Sequence, residues 1–189
     1  MASLTHRRRG DIELERHYKR VCEAFDDRRV EIVDGRIVIR EGASLVHNQV
    51  IFRLLRQILI FADDRGWTAC NDIKLFLGPR IDRYRPDLTV VPEKPRMWDA
   101  ENVYGEDTLL VAEVVSPSSR RDDHLLKPRT CALAGVPLHL VLDPLDRTAR
   151  LLSSPGPHGY TQETAVALGE SLMLPQPWDL EIDTGRLLD

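Results

Sequence analysis

Two acidic residues lie in or beside apolar runs of the sequence, where a charged side chain is costly. Asp87 precedes the run 88–91, and Glu113 lies inside the run 109–115. Because side chains alternate across a strand, Glu113 shares a face with apolar neighbours that we expect to be covered. Burying an ionised carboxylate is unfavourable unless a cation compensates it, so a divalent metal site and a buried salt bridge are both open. Ligands that are all oxygen favour Mg²⁺ or Mn²⁺ over Zn²⁺.

Three other polar residues lie where they could join these carboxylates. His47 falls on the apolar stripe of a predicted helix, either as a core histidine or as a side chain that reaches the sheet edge. Glu31 lies in a short strand, where an exposed edge carboxylate is the alternative. Lys127 follows the polar segment 116–123 and could point back from the next helix towards the strand end, or it could be a surface lysine. No Ser-His-Asp spacing indicates a nucleophilic serine.

Composition limits the class of protein. The 189 residues suit one domain, and the 42% of hydrophobic residues suffice for a core. The net charge of −4 does not indicate nucleic-acid binding, so a nuclease would need a local basic surface. The candidates for that surface, each of which could equally be a solvated charge, are Arg7, Arg8, Arg9, Arg28, Arg29, Arg80, Arg83, Arg85, Arg120 and Arg121.

Cysteine usage and hydropathy predict a soluble, cytoplasmic protein without a membrane partner. Cys22, Cys70 and Cys131 are far apart, which indicates neither a disulfide framework nor a zinc site. The N-terminus is polar and basic, without the apolar segment of a signal peptide. No stretch approaches the ~18 apolar residues of a membrane span.

The periodicity predicts an α/β or α+β fold with a mixed sheet. Asp34-Gly35 predicts a hairpin turn, and a helix over 44–62 has Ser44 as its N-cap and Gly66 as its breaker. The almost wholly apolar segment 108–115 predicts a central strand, with the strand of Asp87 beside it. The other predicted elements are a helix over 11–25, strands over 30–33, 36–39, 72–77, 87–91 and 138–142, a loop over 92–107, a helix over 123–134 closed by Gly135, and a hairpin near 156–159 followed by a C-terminal arm.

Several stretches, taken in order, resemble the Uma2 family of the PD-(D/E)XK nuclease superfamily. They are residues 31–35, 86–91, 113–120, 134–137 and 142–144. The resemblance implies a restriction-endonuclease-like fold, a mixed central β-sheet flanked by helices, over residues 24–189, preceded by an N-terminal helical arm over 1–23.

The resemblance also implies an active site. Asp87 matches the first metal carboxylate and Glu113 the acid of the E-x-K element, while His47 and Glu31 match upstream polar positions of the family. Val115 stands where the superfamily has a lysine, and Lys127 matches the lysine of the following helix. Since Pro128 disfavours helical backbone in the residue before it, we expect Lys127 at the helix entrance.

The function implied by the resemblance is an endonuclease that uses Mg²⁺ or Mn²⁺ to hydrolyse phosphodiester bonds in nucleic acid, with DNA expected, and that acts as a homodimer. Two alternatives stay open. A DNA-binding or scaffolding module that lost turnover is favoured by the missing E-x-K lysine. A hydrolase of small phosphate esters is favoured by the acidic net charge; a narrow closed pocket would support it, and an open groove lined by arginines would oppose it.

Overall fold

The computed structural model describes residues 9–78 and 81–188, without the side chain of Arg9, so Arg7, Arg8 and Arg80 of the predicted basic surface lie outside the described residues. The helices described are α1 (Arg9–Ala24), α2 (Leu45–Asp63) and α3 (Lys127–Leu133), with a π-helical turn at Asp122–Leu126 and 3₁₀ turns at Gly105–Asp107 and Gly185–Leu187. The strands described are β1 (Arg29–Val33), β2 (Arg36–Arg40), β3 (Trp67–Cys70), β4 (Lys74–Leu77), β5 (Asp82–Tyr84), β6 (Leu88–Pro92), β7 (Asn102–Tyr104), β8 (Leu110–Val114), β9 (Leu138–Asp143), β10 (Thr148–Gly156), β11 (Gly159–Ala167), β12 (Ser171–Leu174) and β13 (Leu180–Asp183).

The strands form two mixed sheets and one short pair. The five-stranded sheet has the order β2-β1-β5-β4-β7, the six-stranded sheet has the order β11-β10-β9-β8-β6-β3, and β12 pairs with β13. Strand β8 runs parallel to β9 and antiparallel to β6. The prediction that the strand of Glu113 is central, with the strand that follows Asp87 beside it, is therefore confirmed.

Alternation along β8 separates two cores. Leu110, Ala112 and Val114 pack in the cluster that contains the buried face of α2. Val111 packs instead with residues of the five-stranded sheet and of α3. Because Glu113 has the same parity as Val111, its carboxylate enters the space between the two sheets and α3.

Helix α2 begins as predicted. The Ser44 hydroxyl accepts a hydrogen bond from the His47 backbone N–H at 3.2 Å, which caps the helix. The face containing Val50, Leu54 and Ile58 is buried. Among the described residues, α2 has the length and mean hydropathy of a membrane span, contrary to the expectation that no segment does. Its buried face contributes to the core of the six-stranded sheet.

The turn at Asp34-Gly35 joins β1 and β2 as predicted. Both residues have positive φ, 50° and 74°, which suits the primed turns of two-residue hairpins. The Gly35 N–H donates to Asp82 Oδ1 at 3.0 Å, so the turn is tied to β5. This hairpin positions Arg29 and Glu31 on one strand.

The strands predicted over 72–77 and 87–91 do not follow one another directly in the chain. β5 comes between β4 and β6 in the sequence and pairs with β4 in the five-stranded sheet, whereas β6 belongs to the six-stranded sheet. β5 has no apolar alternation, and its Arg83 is buried against the Phe76 ring in an ion pair with Glu15. The predicted loop over 92–107 also contains β7, and β3 was not predicted.

Candidate active site

Asp87 and Glu113 lie at the same end of the six-stranded sheet. Asp87 comes directly before β6, and Glu113 is the fourth residue of β8. The Val114 N–H donates to Asp87 Oδ2 at 2.8 Å, which holds the Asp87 carboxylate against the end of β8. Both side chains are buried, with 3% of Asp87 and 1% of Glu113 exposed.

Lys127 reaches the same place from the helix that follows β8. Its Nζ donates to Glu113 Oε1 at 2.9 Å, and it lies 3.1 Å from Asp123 Oδ1 and 3.6 Å from Glu31 Oε2. The lysine is 2% exposed, so a surface position is excluded. A cation therefore stands beside Glu113 although the E-x-K position is occupied by a valine.

The prediction about Pro128 is right in the position of Lys127 and wrong in its backbone. Lys127 is the first residue of α3, as expected, but its φ and ψ are helical, −63° and −48°, because the π-helical turn continues directly into α3. The Lys127 N–H bonds to the Asp122 carbonyl five residues back, as in a π-turn. Such a wider turn relieves the clash between a proline ring and the preceding turn, and the missing N–H of Pro128 is tolerated there.

Glu31 is not an exposed edge carboxylate. Its side chain is fully buried, and its two oxygens accept from the Arg40 Nε and the Arg85 backbone N–H, each at 2.8 Å. Arg40 also donates to Asp122 Oδ2 at 2.8 Å, which links β2 to the π-turn. Burial opposes the ionisation of Glu31, but the charges of Lys127 and Arg40 together lower its pKa.

His47 reaches the sheet edge. Its Nε2 lies 3.1 Å from Asp87 Oδ1, so His47 belongs to the site rather than to the core. Arg29 Nη1 donates to the same oxygen at 2.8 Å. Burial opposes the ionisation of Asp87, but these contacts outweigh it and hold the pKa of Asp87 well below its ordinary value.

Negative charge is in excess around Glu113. Burial raises the pKa of Glu113 well above its ordinary value. Lys127 opposes this rise, and the neighbouring Asp87, Asp123 and Glu31 carboxylates add to it. Burial opposes the charged form of Lys127, but the Asp123, Glu113 and Glu31 carboxylates raise its pKa well above the ordinary value. The buried salt bridge expected as one alternative is therefore present, yet it leaves Glu113 in a site that favours further positive charge.

The donor set fits a hard divalent cation. Within residues 9–78 and 81–188, no group of three or more His, Cys, Asp or Glu side chains has the arrangement of a metal site. Asp87 and Glu113 nevertheless supply carboxylate oxygens, and the raised pKa of Glu113 indicates a carboxyl group that a cation would stabilise as the anion. Oxygen donors of this kind suit Mg²⁺ or Mn²⁺.

A cleft of about 870 Å³ leads to these residues. Arg28, Arg29, Arg40 and Arg85 line it together with Asp87, Glu113 and Lys127. Arg83, Arg120 and Arg121 of the predicted basic surface do not line the cleft.

Two predicted basic residues are engaged outside the cleft. Arg83 is buried, with its Nη2 2.9 Å from Glu15 Oε2 and its guanidinium 4.3 Å from the Phe76 ring centroid. Arg120 is paired with Asp146. Arg121 is exposed and is not among the residues that line the cleft. Among the described residues, the cleft takes its arginines from the turn before β1, from β1, from β2 and from the segment after β5. Seven carboxylates line it as well: Asp26, Asp27, Glu41, Asp72, Asp87, Glu113 and Asp123.

Sequence reasoning missed three residues of the site and the role of a fourth, Arg29. Arg40 contacts Glu31, Asp123 contacts Lys127, and Asp72 contacts Arg29. The Asp122-Asp123 pair near Lys127 could have indicated a charged cluster at helical spacing, since Asp123 and Lys127 are four residues apart. Arg29 was counted only as a basic surface residue, and nothing in the pattern indicates its contact with Asp87.

Comparison with known proteins identifies the family and the fold of the chain. The profile of the Uma2 family, described as "Putative restriction endonuclease", matches residues 15–185. A relative from Synechocystis, "Uncharacterized protein sll1609", is 30% identical over 90 residues, which cover 47% of this chain and 51% of that protein. The match thus spans about half the length of that curated relative.

The fold matches a crystal structure of "a putative nuclease belonging to DUF820" from Anabaena variabilis. The TM-score is 0.67 at 14% identity, with 84% of this chain and 89% of that chain covered. At this identity the likeness establishes the fold, which is the mixed α+β restriction-endonuclease-like architecture implied by the sequence motifs. The family and this neighbour together support a nuclease. The chain belongs to the Uma2 family of restriction-endonuclease-like proteins.

Proposed function

We propose that the protein is an endonuclease that depends on Mg²⁺ or Mn²⁺ and hydrolyses phosphodiester bonds in nucleic acid, with DNA as its substrate. The observation that carries the proposal is the contact between Lys127 Nζ and Glu113 Oε1 at 2.9 Å, beside Asp87 and at the cleft. Two carboxylates can hold a divalent ion that assists phosphodiester hydrolysis, and an ammonium group beside them can stabilise the charge that develops on the phosphate.

Each side chain has a proposed role. Asp87 and Glu113, with the Val114 carbonyl, would hold the divalent ion. When bound, such an ion lowers the pKa of a coordinated water and neutralises charge on the phosphate. Lys127 orients the attacking water and stabilises the charge that develops in the transition state.

His47 and Glu31 act at either side of that centre. His47 lies against Asp87 Oδ1 and orients this carboxylate, and its position near the cleft lets it contact a substrate phosphate. Glu31 holds Arg40 by a hydrogen bond and lies 3.6 Å from the Lys127 ammonium, which keeps both cations in place.

One contact favours the second candidate, a nucleic-acid-binding or scaffolding module without turnover. Arg29 already donates to Asp87 Oδ1, and it compensates the charge that a metal ion would otherwise neutralise. The third candidate is a hydrolase of small phosphate esters. The volume of the cleft, about 870 Å³, also suits a small ligand, so the choice of substrate rather than the cleft size separates this candidate from the nuclease.

A cleavage assay separates these candidates. The purified protein is incubated with duplex DNA, single-stranded DNA and RNA in Mg²⁺, Mn²⁺ or EDTA. We expect cleavage of DNA that requires the metal and is lost in Asp87→Asn. Asp107→Asn is a matched control, because Asp107 is an aspartate paired with Arg96 outside the cleft. Binding of DNA without cleavage under any metal would favour the non-catalytic module.

Assembly and location are part of the same proposal. We expect a homodimer, since two copies would place one active centre on each strand of a duplex, and we expect the protein in the cytoplasm. Light scattering coupled to size exclusion measures the first, and fractionation of cells that produce the protein measures the second.

A further inference from the structure

Two cleft arginines share one carboxylate. Arg29 Nε lies 3.0 Å from Asp72 Oδ1, while Arg85 donates to Asp72 through Nε at 3.1 Å and Nη2 at 2.6 Å. The Arg85 contact is bidentate, the geometry that fixes the plane of a guanidinium. Asp72 therefore orients both guanidinium groups on the same side of the cleft. We call Arg29 and Arg85, which Asp72 joins, the arginine pair.

The arginine pair is connected to the catalytic carboxylates. Arg29 Nη1 donates to Asp87, and the Arg85 backbone N–H donates to Glu31. Asp72 has a φ of 57°, which is uncommon for a residue other than glycine, and its N–H bonds to the Pro86 carbonyl, next to Asp87. Backbone strain of this kind persists where surrounding contacts impose it, often at ligand sites.

The two guanidinium groups keep N–H donors beyond those that their partners take. Asp72 and Asp87 balance the two positive charges, with Arg29 contacting Asp72 through Nε and Asp87 through Nη1. Arg85 contacts Asp72 through Nε and Nη2 and donates to the Arg28 carbonyl through Nη1 at 3.3 Å. Because a guanidinium has five N–H donors, each arginine retains donors that these contacts do not use. Each arginine side chain is 24% exposed and lines the cleft, so a ligand can reach both.

We propose that the arginine pair is a binding subsite for a phosphodiester group of a polynucleotide strand, adjacent to the proposed catalytic centre. This inference rests on the proposed function and names how that site holds its substrate. Two oriented guanidinium forks match the non-bridging oxygens of a phosphate. Arg29 contacts Asp87 directly, so a phosphate bound there lies next to the carboxylates that perform the proposed cleavage.

A purely structural salt bridge is the competing explanation. It would place two arginines on Asp72 in order to hold the segment between β3 and β4 against β1. That explanation predicts that removing either arginine changes stability and leaves the affinity for nucleic acid unchanged. The two explanations therefore differ in a binding measurement made without metal.

The test is equilibrium binding of a fluorescent DNA duplex of about 20 base pairs in EDTA, where metal-dependent cleavage cannot occur. The variants are Arg29→Gln, Arg85→Gln and Arg29→Lys. Arg96→Gln is the matched control, since Arg96 is also an arginine paired with carboxylates, Glu106 and Asp107, but lies outside the cleft. Circular dichroism and urea unfolding establish that each variant is folded.

We expect the affinity to fall about 10- to 100-fold in Arg29→Gln and in Arg85→Gln, as for loss of a charge-assisted hydrogen bond. The dependence of log affinity on log salt should become shallower by about 1 in each. Arg29→Lys should recover part of the affinity, and Arg96→Gln should match the parent. If Arg85→Gln does not fold, Arg29→Gln decides the question alone.

Other outcomes overturn the subsite. Folded variants that bind the duplex as tightly as the parent would leave only the structural salt bridge. Calorimetric binding of inorganic phosphate by a parent that does not bind the duplex would assign the arginine pair to a small phosphate ester. The binding measurement is independent of the cleavage assay. If the variants lose duplex binding and the parent does not cleave DNA, the subsite is supported and the nuclease is refuted.

Discussion

Replacing Lys127 by methionine removes a buried cation that three carboxylates share. Lys127 Nζ lies 2.9 Å from Glu113, 3.1 Å from Asp123 and 3.6 Å from Glu31. A single pair at such distances is worth about 5 kcal/mol at an effective dielectric constant of about 20, before desolvation is counted. Because breaking a buried pair leaves uncompensated charge, we expect the metal-free variant to lose about 3–5 kcal/mol of its free energy of unfolding at neutral pH.

The loss should depend on pH in a defined direction. The pKa of Glu113 is already raised by burial and by neighbouring carboxylates, and without Lys127 it rises further. An acid with a raised pKa keeps its proton in the folded state, so stability is highest at low pH and falls as the pH rises through the folded pKa. The deficit of Lys127→Met relative to the parent should therefore be largest near neutral pH and shrink towards pH ~5.

Urea unfolding of the metal-free proteins at several pH values measures this deficit. Lys74→Met is the control, because Lys74 forms an exposed pair with Glu101. The double variant Lys127→Met with Glu113→Gln should recover part of the loss, since it removes one of the uncompensated charges. In the cleavage assay, Lys127→Met should lower turnover about 10²-fold while leaving metal affinity similar. A deficit that is absent, or that does not change with pH, would refute this account of the buried cluster.

Further predictions concern the metal, a buried histidine and the substrate. Asp87→Asn and Glu113→Gln should each abolish Mn²⁺ binding in calorimetric titration while the circular dichroism spectrum is retained; unchanged binding in both would exclude the assigned ligands. Glu113→Gln should also be more stable than the metal-free parent at neutral pH, because ionised Glu113 is disfavoured there. Burial lowers the pKa of His139 to about 3, so the folded state resists protonation of this histidine. The parent should therefore lose about 2 kcal/mol of its free energy of unfolding between pH ~6.5 and ~5, and His139→Phe should not. Urea unfolding measures both, and parallel pH profiles would contradict this. Duplex binding should weaken steeply with salt through counterion release, and an affinity that stays constant between low and moderate salt would count against a polynucleotide substrate.

Local pattern was enough for the elements whose apolar residues repeat with a clear period. The stripe of α2, the Asp34-Gly35 turn and the apolar run around Glu113 each correspond to an element of the fold. In these cases the signal and the structure have the same cause, because the residues that repeat are those that pack into the core. The two carboxylates stood out for the converse reason, since a charge in an apolar run requires compensation.

Short strands were not predictable from such patterns. β5 is buried although it contains Asp82 and Arg83, and β7 has three residues. Their positions depend on partners distant in the chain, as in the ion pair of Arg83 with Glu15. The division of the strands between two sheets likewise follows from long-range pairing rather than from local periodicity.

What the sequence by itself determined is therefore the identity of the family, the central strand and the candidate residues Asp87, Glu113, His47, Glu31 and Lys127. Only the tertiary structure decided how these residues are compensated. The π-turn directs Lys127 to Glu113. The hairpin of β1 and β2 brings Arg29 to Asp87, 58 residues away in sequence. A side chain's partners across such distances depend on how the sheets and helices pack, and a single sequence carries no local signal for that packing.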